Sequence, residues 1–265
     1  MKFLPLLVLA FLLMACGGES TPTNEDVTST EAAEEVVDLD TDVQIHPIFH
    51  GSVVLTKNDL TIFVDPYGGS ERYTSYGAPD LVLITHTHPD HLNPGTLAGI
   101  DLSEATLVGP AAVTEQVNSL GDSITFMRTE TMANGDNYVW KNVDIAAVPA
   151  YNVRDVDFHP QGKFNGYVVT IDGQRLYFSG DTGPVQEMRD LKEIDIAFVC
   201  MNMPYTMTVE SAAEAVLDFK PDVVYPYHYR NQDETFSDVE RFRELVTTSD
   251  NTIEVRLNDW YTDVK

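Results

Sequence analysis

Cysteine is scarce in this chain of 265 residues, with only Cys16 and Cys200 present. Two cysteines cannot form a disulfide framework, and they cannot build a structural zinc site of the cysteine-rich kind. Any metal ion must therefore be held by histidine and carboxylate side chains.

Positive charge is also scarce, because 16 Lys and Arg residues stand against 42 Asp and Glu residues and give a formal net charge of −26. Such a charge repels a phosphate backbone and leaves no basic stripe for a duplex, so we expect no nucleic-acid partner. The composition is otherwise ordinary for a globular protein, with 43% hydrophobic and 22% charged residues. A sizeable core is therefore possible.

A long apolar run is missing as well. The run from Phe3 to Met14, behind the positive charge of Lys2, is too short for a comfortable membrane span and has the length of a signal-peptide core. We therefore interpret the first residues as a targeting segment rather than as part of the fold.

The string Leu13-Met14-Ala15-Cys16-Gly17 resembles the lipobox of bacterial lipoproteins, in which the cysteine is acylated and the chain is cut just before it. An ordinary secretory peptide with an incidental Cys16 is the alternative. The lipobox interpretation predicts a signal peptide over residues 1–15 and lipidation of Cys16, which would anchor the protein to a membrane of the cell envelope. Gly17, in place of Asp, favours the outer membrane of a Gram-negative-type bacterium.

The segment after Cys16 is acidic and contains no Lys or Arg before residue 44. It cannot bury enough apolar surface to offset the entropy lost on ordering. We therefore predict a disordered acidic tether over residues 16–43 and one folded domain over residues 44–265.

Short strands separated by turn residues open this domain, at 45–50, 52–56 and 60–64, and antiparallel pairing is the natural expectation. Residues 81–84 form a continuous apolar strand of the buried kind. The remaining predicted strands are 124–127, 138–140, 143–148, 167–171, 175–178, 195–199 and 223–225, and the predicted helices are 110–120, 209–217 behind the cap Thr208, and 240–246. Because strands and helices recur in two similar halves, we expect two sheets sandwiched between outer helices.

Three of the seven histidines fall within six consecutive positions, directly after the buried strand. The string is His86-Thr87-His88-Pro89-Asp90-His91. Side chains two positions apart in an extended chain point the same way, so His86 and His88 can bind one metal ion. Asp90 and His91 lie beyond the bend and can turn toward a second ion. A plain polar loop is disfavoured, since packing alone has no use for so many imidazoles at a strand end.

This string matches HxHxDH, the signature of the metallo-β-lactamase-fold hydrolases, and the chain resembles that family across essentially the whole predicted domain. The other matching strings are 50–52, 65–66, 148–152, 179–182 and 226–228. Their order and spacing are most similar to the branch that contains the ascorbate-6-phosphate lactonases. The resemblance implies an α/β fold, an αββα sandwich, with two metal ions at one edge of the paired sheets.

The resemblance also implies a set of metal ligands. It assigns His86, His88 and a later histidine to one ion, Asp90, His91 and His228 to the other, and Asp181 to both. His159 is taken as the later histidine, with a surface loop histidine as the alternative, and a turn-forming aspartate is the alternative for Asp181. Histidine and carboxylate donors suit zinc, with manganese or iron as other choices.

Two adjacent metal ions lower the pKa of a bridging water, so a metal-bridging hydroxide is the expected nucleophile. Asp90 or Asp181 would be the catalytic carboxylate that orients it and takes its proton. The sequence thus predicts a metal-dependent hydrolase that cleaves an ester, lactone or phosphodiester-type bond in a small molecule. His50 could orient a metal ligand or could be a plain core histidine.

Two other functions remain open on the same fold. One is an iron-dependent oxidoreductase, which the identity of the bound metal would distinguish. The other is a binding module without metal, which the presence of every expected ligand disfavours.

Overall fold

The computed structural model describes residues 43–154 and 157–262. The predicted signal peptide, Cys16 and the predicted tether up to residue 42 lie outside the described residues. In the described part of the chain, no helix is both long and apolar enough to cross a membrane.

The first sheet is built from the N-terminal half of the domain, with its strands side by side in chain order. Its strands are β1 (Gln44–Phe49), β2 (Ser52–Lys57), β3 (Leu60–Val64), β4 (Leu81–Leu83), β5 (Thr106–Gly109) and β6 (Arg128–Thr131). The first three strands pair antiparallel, as the sequence predicts. From β3 to β6 the pairing is parallel, so the carboxyl ends of these strands meet at one edge.

The second sheet is built from the C-terminal half, in the order β13-β12-β11-β10-β9-β8-β7. Its strands are β7 (Asn137–Trp140), β8 (Val143–Ala150), β9 (Phe164–Ile171), β10 (Gln174–Phe178), β11 (Ile196–Cys200), β12 (Val223–Tyr227) and β13 (Glu254–Val255). Strands β7 to β10 are antiparallel, and β10 to β13 are parallel. The second sheet therefore has the same mixed pattern as the first.

The helices connect these strands. The α helices are α1 (Pro94–Leu97), α2 (Ala111–Ser119), α3 (Gln186–Arg189), α4 (Val209–Phe219) and α5 (Val239–Ser249), and the 3₁₀ helices are Ser70–Tyr76 and Gly121–Ser123. The predicted cap of α4 is confirmed, because the Thr208 hydroxyl accepts a hydrogen bond from the Ser211 N–H at 3.2 Å.

Neighbouring residues of a strand point to opposite faces of the sheet, so the two faces of the first sheet pack into two different cores. Leu83 packs into the large core that the two sheets share. Val82, its neighbour, joins a smaller core with Val113 of α2. In the second sheet, Tyr177 packs edge-on against Phe219 of α4, with ring centroids 5.9 Å apart. The expected sandwich of two sheets between helices is confirmed.

The strand predicted at 124–127 is wrong. Ile124 is buried in the small core under α2, and the strand next to β5 begins only at Arg128. The apolar side chains of this segment thus serve the packing of α2 rather than a strand. The sequence pattern also misses β5 itself, a strand of four buried residues.

Candidate metal centre

Strand ends carry the polar residues of interest to one edge of the sandwich. Asp65 follows β3, the histidine-rich loop follows β4, Asp181 follows β10, and His228 follows β12. The two sheets are tied together there, because the His228 N–H donates to the His50 carbonyl oxygen at 3.0 Å. Parallel strand pairs in each sheet thus bring distant parts of the chain to one place.

Three residues at this edge have left-handed backbone conformations that non-glycine residues seldom adopt. The φ angles are 59° at His50, 45° at Asp65 and 48° at His228. Backbone strain of this kind concentrates at functional sites, where the surrounding structure holds a side chain in a required direction. Here each strained residue points its side chain into the same cluster.

The first group of the cluster consists of three histidines. Nε2 of His86 lies 3.1 Å from Nδ1 of His88. The ring of His159 is oriented by its Nδ1, which lies 3.2 Å from the Tyr205 carbonyl oxygen. His86 and His159 are fully buried, although His159 comes from a long loop. The sequence-predicted His159 therefore lies beside His86 and His88 rather than on the surface.

The second group consists of Asp90, His91 and His228. Nε2 of His228 lies 3.0 Å from Nε2 of His91 and 3.4 Å from Oδ2 of Asp90. Two ring nitrogens at such a distance point their lone pairs at a common position. The arrangement suits a cation between them, because without one a ring must be protonated to satisfy the other.

The Asp181 carboxylate lies between the two groups. Its Oδ2 is 3.4 Å from Nε2 of His159, and its Oδ1 is 3.4 Å from Nε2 of His228 and 3.5 Å from Nε2 of His91. The turn before it requires glycine, because Gly180 has a φ of 57° and a Cβ there would lie 3.0 Å from Cβ of Thr85. Asp181 thus faces both groups from the end of β10.

The electrostatics of the cluster keep its carboxylates ionised. Burial by itself would raise the pKa of Asp181, but the neighbouring His228 and His91 outweigh it and hold the pKa well below its usual range. Burial likewise opposes ionisation of Asp90, and His91 and His228 again lower its pKa. The pKa of His86 is lowered by its burial and by the charge of His91. Burial opposes protonation of His91, but the carboxylates of Asp65, Asp181 and Asp90 outweigh it and raise the pKa of this ring. A metal ion, which binds the neutral imidazole, would take the place of that proton.

Asp65 belongs to the site, although sequence reasoning gave it no role. The fully buried Asp65 carboxylate accepts hydrogen bonds from the Thr85 N–H at 2.7 Å and from the Thr85 hydroxyl at 2.6 Å. Its Oδ2 also lies 2.7 Å from Nδ1 of His91, which turns Nε2 of that ring toward the cluster. A carboxylate behind a histidine is the usual device for orienting a metal ligand. The position of Asp65 at a strand end is the signal that could have found it.

His50 lies at the edge of the cluster and is held from both sides. Its Nε2 is 3.1 Å from Oδ2 of Asp90, and its Nδ1 is 2.8 Å from the Tyr261 hydroxyl. Burial and the neighbouring His228 lower the pKa of His50 to about 4. Its contact with Asp90 distinguishes it from a plain core histidine. Tyr261 is a further residue that the sequence did not single out.

The residues present fit divalent metal ions. Three sets of side chains among the described residues bring ligand atoms within 4.8 Å of one another: His86 with His88 and His159, His86 with His91 and Asp181, and His50 with Asp90 and His228. Two buried atoms that face the cluster, Nε2 of His159 and Oδ1 of Asp181, have no hydrogen-bond partner. Buried polar atoms without partners are costly, and a bound cation would satisfy both. Nitrogen and oxygen donors suit zinc or a similar divalent ion.

Two cavities open onto the cluster. One, of about 280 Å³, is lined by His88, His159, Asp181 and Tyr205. The other, of about 200 Å³, is lined by His50, His228 and the loop that follows β12. Asp90 lines both cavities, so its carboxylate is accessible to a bound molecule from either side.

Comparisons with known proteins agree with this geometry. Residues 44–228 match the family described as the beta-lactamase superfamily domain. The UPF0173 metal-dependent hydrolase of Pyrococcus furiosus is 31% identical over 195 residues, which cover 70% of this chain and 84% of that protein. A crystal structure of a candidate metal-dependent hydrolase from Parabacteroides distasonis superposes with a TM-score of 0.71, and its sequence is 36% identical to this one. The match covers 82% of this chain and 93% of the other chain. The metallo hydrolase Igni18 of Ignicoccus hospitalis shares the fold, with a TM-score of 0.69 and 24% sequence identity. This match covers 82% of this chain and 94% of Igni18.

Proposed function

The chain belongs to the UPF0173 metal-dependent hydrolases of the metallo-β-lactamase superfamily, and we propose that it binds two divalent metal ions to hydrolyse an ester, lactone or phosphodiester-type bond. The observation that carries the proposal is the Asp181 carboxylate, whose two oxygens face different groups of histidines. A carboxylate in that position can bridge two ions. On the resemblance of the sequence motifs to the ascorbate-6-phosphate lactonase branch, we propose that lactones be tested first among the candidate substrates.

In the proposed centre, two groups of side chains would each hold one ion. His86, His88 and His159 would hold one ion, Asp90, His91 and His228 would hold the other, and Asp181 would bind both. The ions would supply Lewis acidity and a water molecule whose pKa is lowered toward neutrality. The close contacts of His86 with His88 and of His228 with His91 and Asp90 support the two groups, and the set of His86, His91 and Asp181 fits two sites that adjoin each other.

The protein's own residues would orient the reacting groups. Asp90 is the carboxylate that both cavities expose, so it is the group we propose to take a proton from the attacking water. Its direction is set by His50, whose own ring is held by the Tyr261 hydroxyl. Asp181, only 4% exposed, is better suited to holding metal ions than to exchanging protons with substrate.

The bridging role of Asp181 is tested by Asp181→Asn, which keeps the size of the side chain and removes its charge. We expect the variant to bind the second ion more than about tenfold more weakly and to lose most hydrolysis of whichever substrate a panel of esters, lactones and phosphodiesters reveals. Asp172→Asn, at an exposed turn with a positive φ of 49°, is the matched control. Two tightly bound ions and full turnover in Asp181→Asn would overturn the assignment.

Metal content distinguishes hydrolysis from the oxidative alternative. The relatives are named metal-dependent hydrolases, which favours hydrolysis. The histidine and carboxylate donors make zinc our first choice over manganese or iron. We expect close to two zinc ions per chain by elemental analysis, with hydrolytic activity. Iron in the purified protein together with oxygen consumption would instead support an iron-dependent oxidoreductase.

We also propose that the protein is anchored in the cell envelope through a lipid on Cys16, with residues 16–43 as the tether. The support is the lipobox-like sequence ending at Cys16. Cys16→Ala should move the protein from the membrane fraction to the soluble fraction. Unchanged fractionation of this variant would contradict the anchor.

A further inference from the structure

We propose that Arg230 binds an anionic group of the substrate, so that the enzyme prefers molecules with a carboxylate several atoms away from the scissile bond. The proposal rests on the hydrolytic function above and names the substrate class for it. Its basis is the juxtaposition of an incompletely paired guanidinium with the second cavity of the metal centre.

Arg230 is built into the wall of the site. It lies two residues after His228, and its backbone N–H donates to the Tyr261 hydroxyl at 3.2 Å. The same hydroxyl lies 2.8 Å from Nδ1 of His50. Arg230 lines the cavity of about 200 Å³ together with His50, Asp90 and His228. A group bound to its guanidinium would therefore share a cavity with the reacting bond.

The guanidinium has unused hydrogen-bonding capacity. Its Nε is buried and has no hydrogen-bond partner among the described residues. Its ion pair is with Glu234, at 3.4 Å, and the Glu234 side chain is 79% exposed. Exposed ion pairs contribute little stability, so an incoming carboxylate can replace Glu234 at small cost. The position open to an incoming carboxylate is therefore the one that Glu234 occupies at Nη2, because the unpaired Nε is itself covered.

Arg230 supplies the positive charge that an anionic substrate would need in this site. Among the described residues that line the two cavities, Arg230 is the one Lys or Arg. The chain as a whole carries a formal net charge of −26, which repels anionic molecules in general. The planar guanidinium matches a carboxylate with two parallel hydrogen bonds, which a lone ammonium cannot do.

The test compares two aryl esters with the same leaving group, 4-nitrophenyl butyrate and mono-4-nitrophenyl glutarate. The readout is the ratio of their kcat/KM values, glutarate over butyrate. Arg230→Met should lower this ratio about tenfold or more, the loss typical of one charge-assisted hydrogen bond. An equal loss on both esters would overturn the proposal, because it would mean that Arg230 only supports the site.

A second variant should act in the opposite direction. Glu234→Gln removes the competing carboxylate and should raise the same ratio. The matched control for Arg230→Met is Arg243→Met on α5, which also removes one positive charge. Arg243 forms another exposed ion pair, with Glu240. The ratio should be unchanged in this control. A fall of the same size in Arg243→Met would assign the effect to overall charge and overturn the role of Arg230.

A binding measurement separates this inference from the proposed hydrolysis. We expect the zinc-loaded protein to bind glutarate in a calorimetric titration about tenfold more tightly than zinc-loaded Arg230→Met does, and we expect the two proteins to bind the uncharged butyramide equally. This result supports Arg230 even if neither ester is cleaved, in which case only the proposed reaction fails. Equal glutarate affinity in the two proteins overturns the inference even if hydrolysis is found.

Discussion

At the scale of single residues, the carboxylate of Asp65 orients the ring of His91 without itself being a proposed metal ligand. It receives the backbone and hydroxyl hydrogen bonds of Thr85, and it holds the ring of His91 from behind. Because all three groups are buried, these bonds are shielded from water and hold their geometry tightly.

Replacing Asp65 with Asn should weaken metal binding without removing a ligand. The amide keeps the volume but is a poorer acceptor for the Thr85 and His91 hydrogen bonds, so we expect a loss of about 10- to 100-fold in metal affinity, measured by competition with a chelating dye. Asp80→Asn is the control, since Asp80 also accepts a backbone N–H bond, from Thr61 at 3.0 Å, but at the opposite end of the strands. Equal losses in both variants would mean that Asp65 has no special role.

The Cys200 thiol should be inert in the folded protein. Burial, followed by the nearby charge of Asp181, raises the pKa of Cys200 to about 12, and its side chain is fully buried on β11. In a Cys16→Ser variant, where Cys200 is the remaining thiol, Ellman's reagent at pH 8 should react only after denaturation. Rapid reaction of the native protein would contradict the packing around this residue.

At the scale of elements, the site stands on the ends of strands whose pairing does not depend on a metal ion. Strands β3, β4, β10 and β12 are each buried on both faces or nearly so. The helices cover the outer faces, and α4 contributes five buried residues to the core. The stability of a helix such as α4 should therefore be separable from the chemistry of the site.

The cap of α4 provides a test of that separation. Thr208→Ala removes the hydroxyl that accepts the Ser211 N–H bond, so we expect the free energy of unfolding to fall by about 1 kcal/mol. Thr208→Ser keeps the hydroxyl and is the matched control. Urea unfolding should show the lower midpoint with an unchanged m value, and metal affinity should match the parent protein. A loss of metal affinity in Thr208→Ala would show that the helix and the site are coupled.

At the scale of the whole molecule, the metal ions should stabilise a fold that already exists. The proposed ligands project from the ends of two sheets whose shared core consists of apolar side chains, so removal of metal by a chelator should leave the far-UV circular dichroism nearly unchanged. Adding an ion back at about one hundred times its Kd should raise the free energy of unfolding by about 2.7 kcal/mol. Collapse of the spectrum on chelation would mean that the ions hold the sheets together.

The sequence by itself determined the type of the fold and the main candidates of the site. Alternating apolar residues specify strands, and capping residues specify helix ends, because both depend on neighbours along the chain. The spacing of His86, His88, Asp90 and His91 is likewise local, so their clustering after a buried strand was predictable. The prediction failed at 124–127, where apolar residues pack under α2 instead of forming a strand.

Only the tertiary structure decided which distant residues support the predicted ligands and line the cavity beside them. The Tyr261 hydroxyl meets His50 across 211 positions of sequence, and nothing near either residue indicates the other. Asp65 reaches His91 because β3 and β4 pair in parallel, and Arg230 reaches the cavity because the loop after β12 folds against Tyr261. Such contacts follow from how strands pair and sheets pack, and that packing is a property of the whole core rather than of any local pattern.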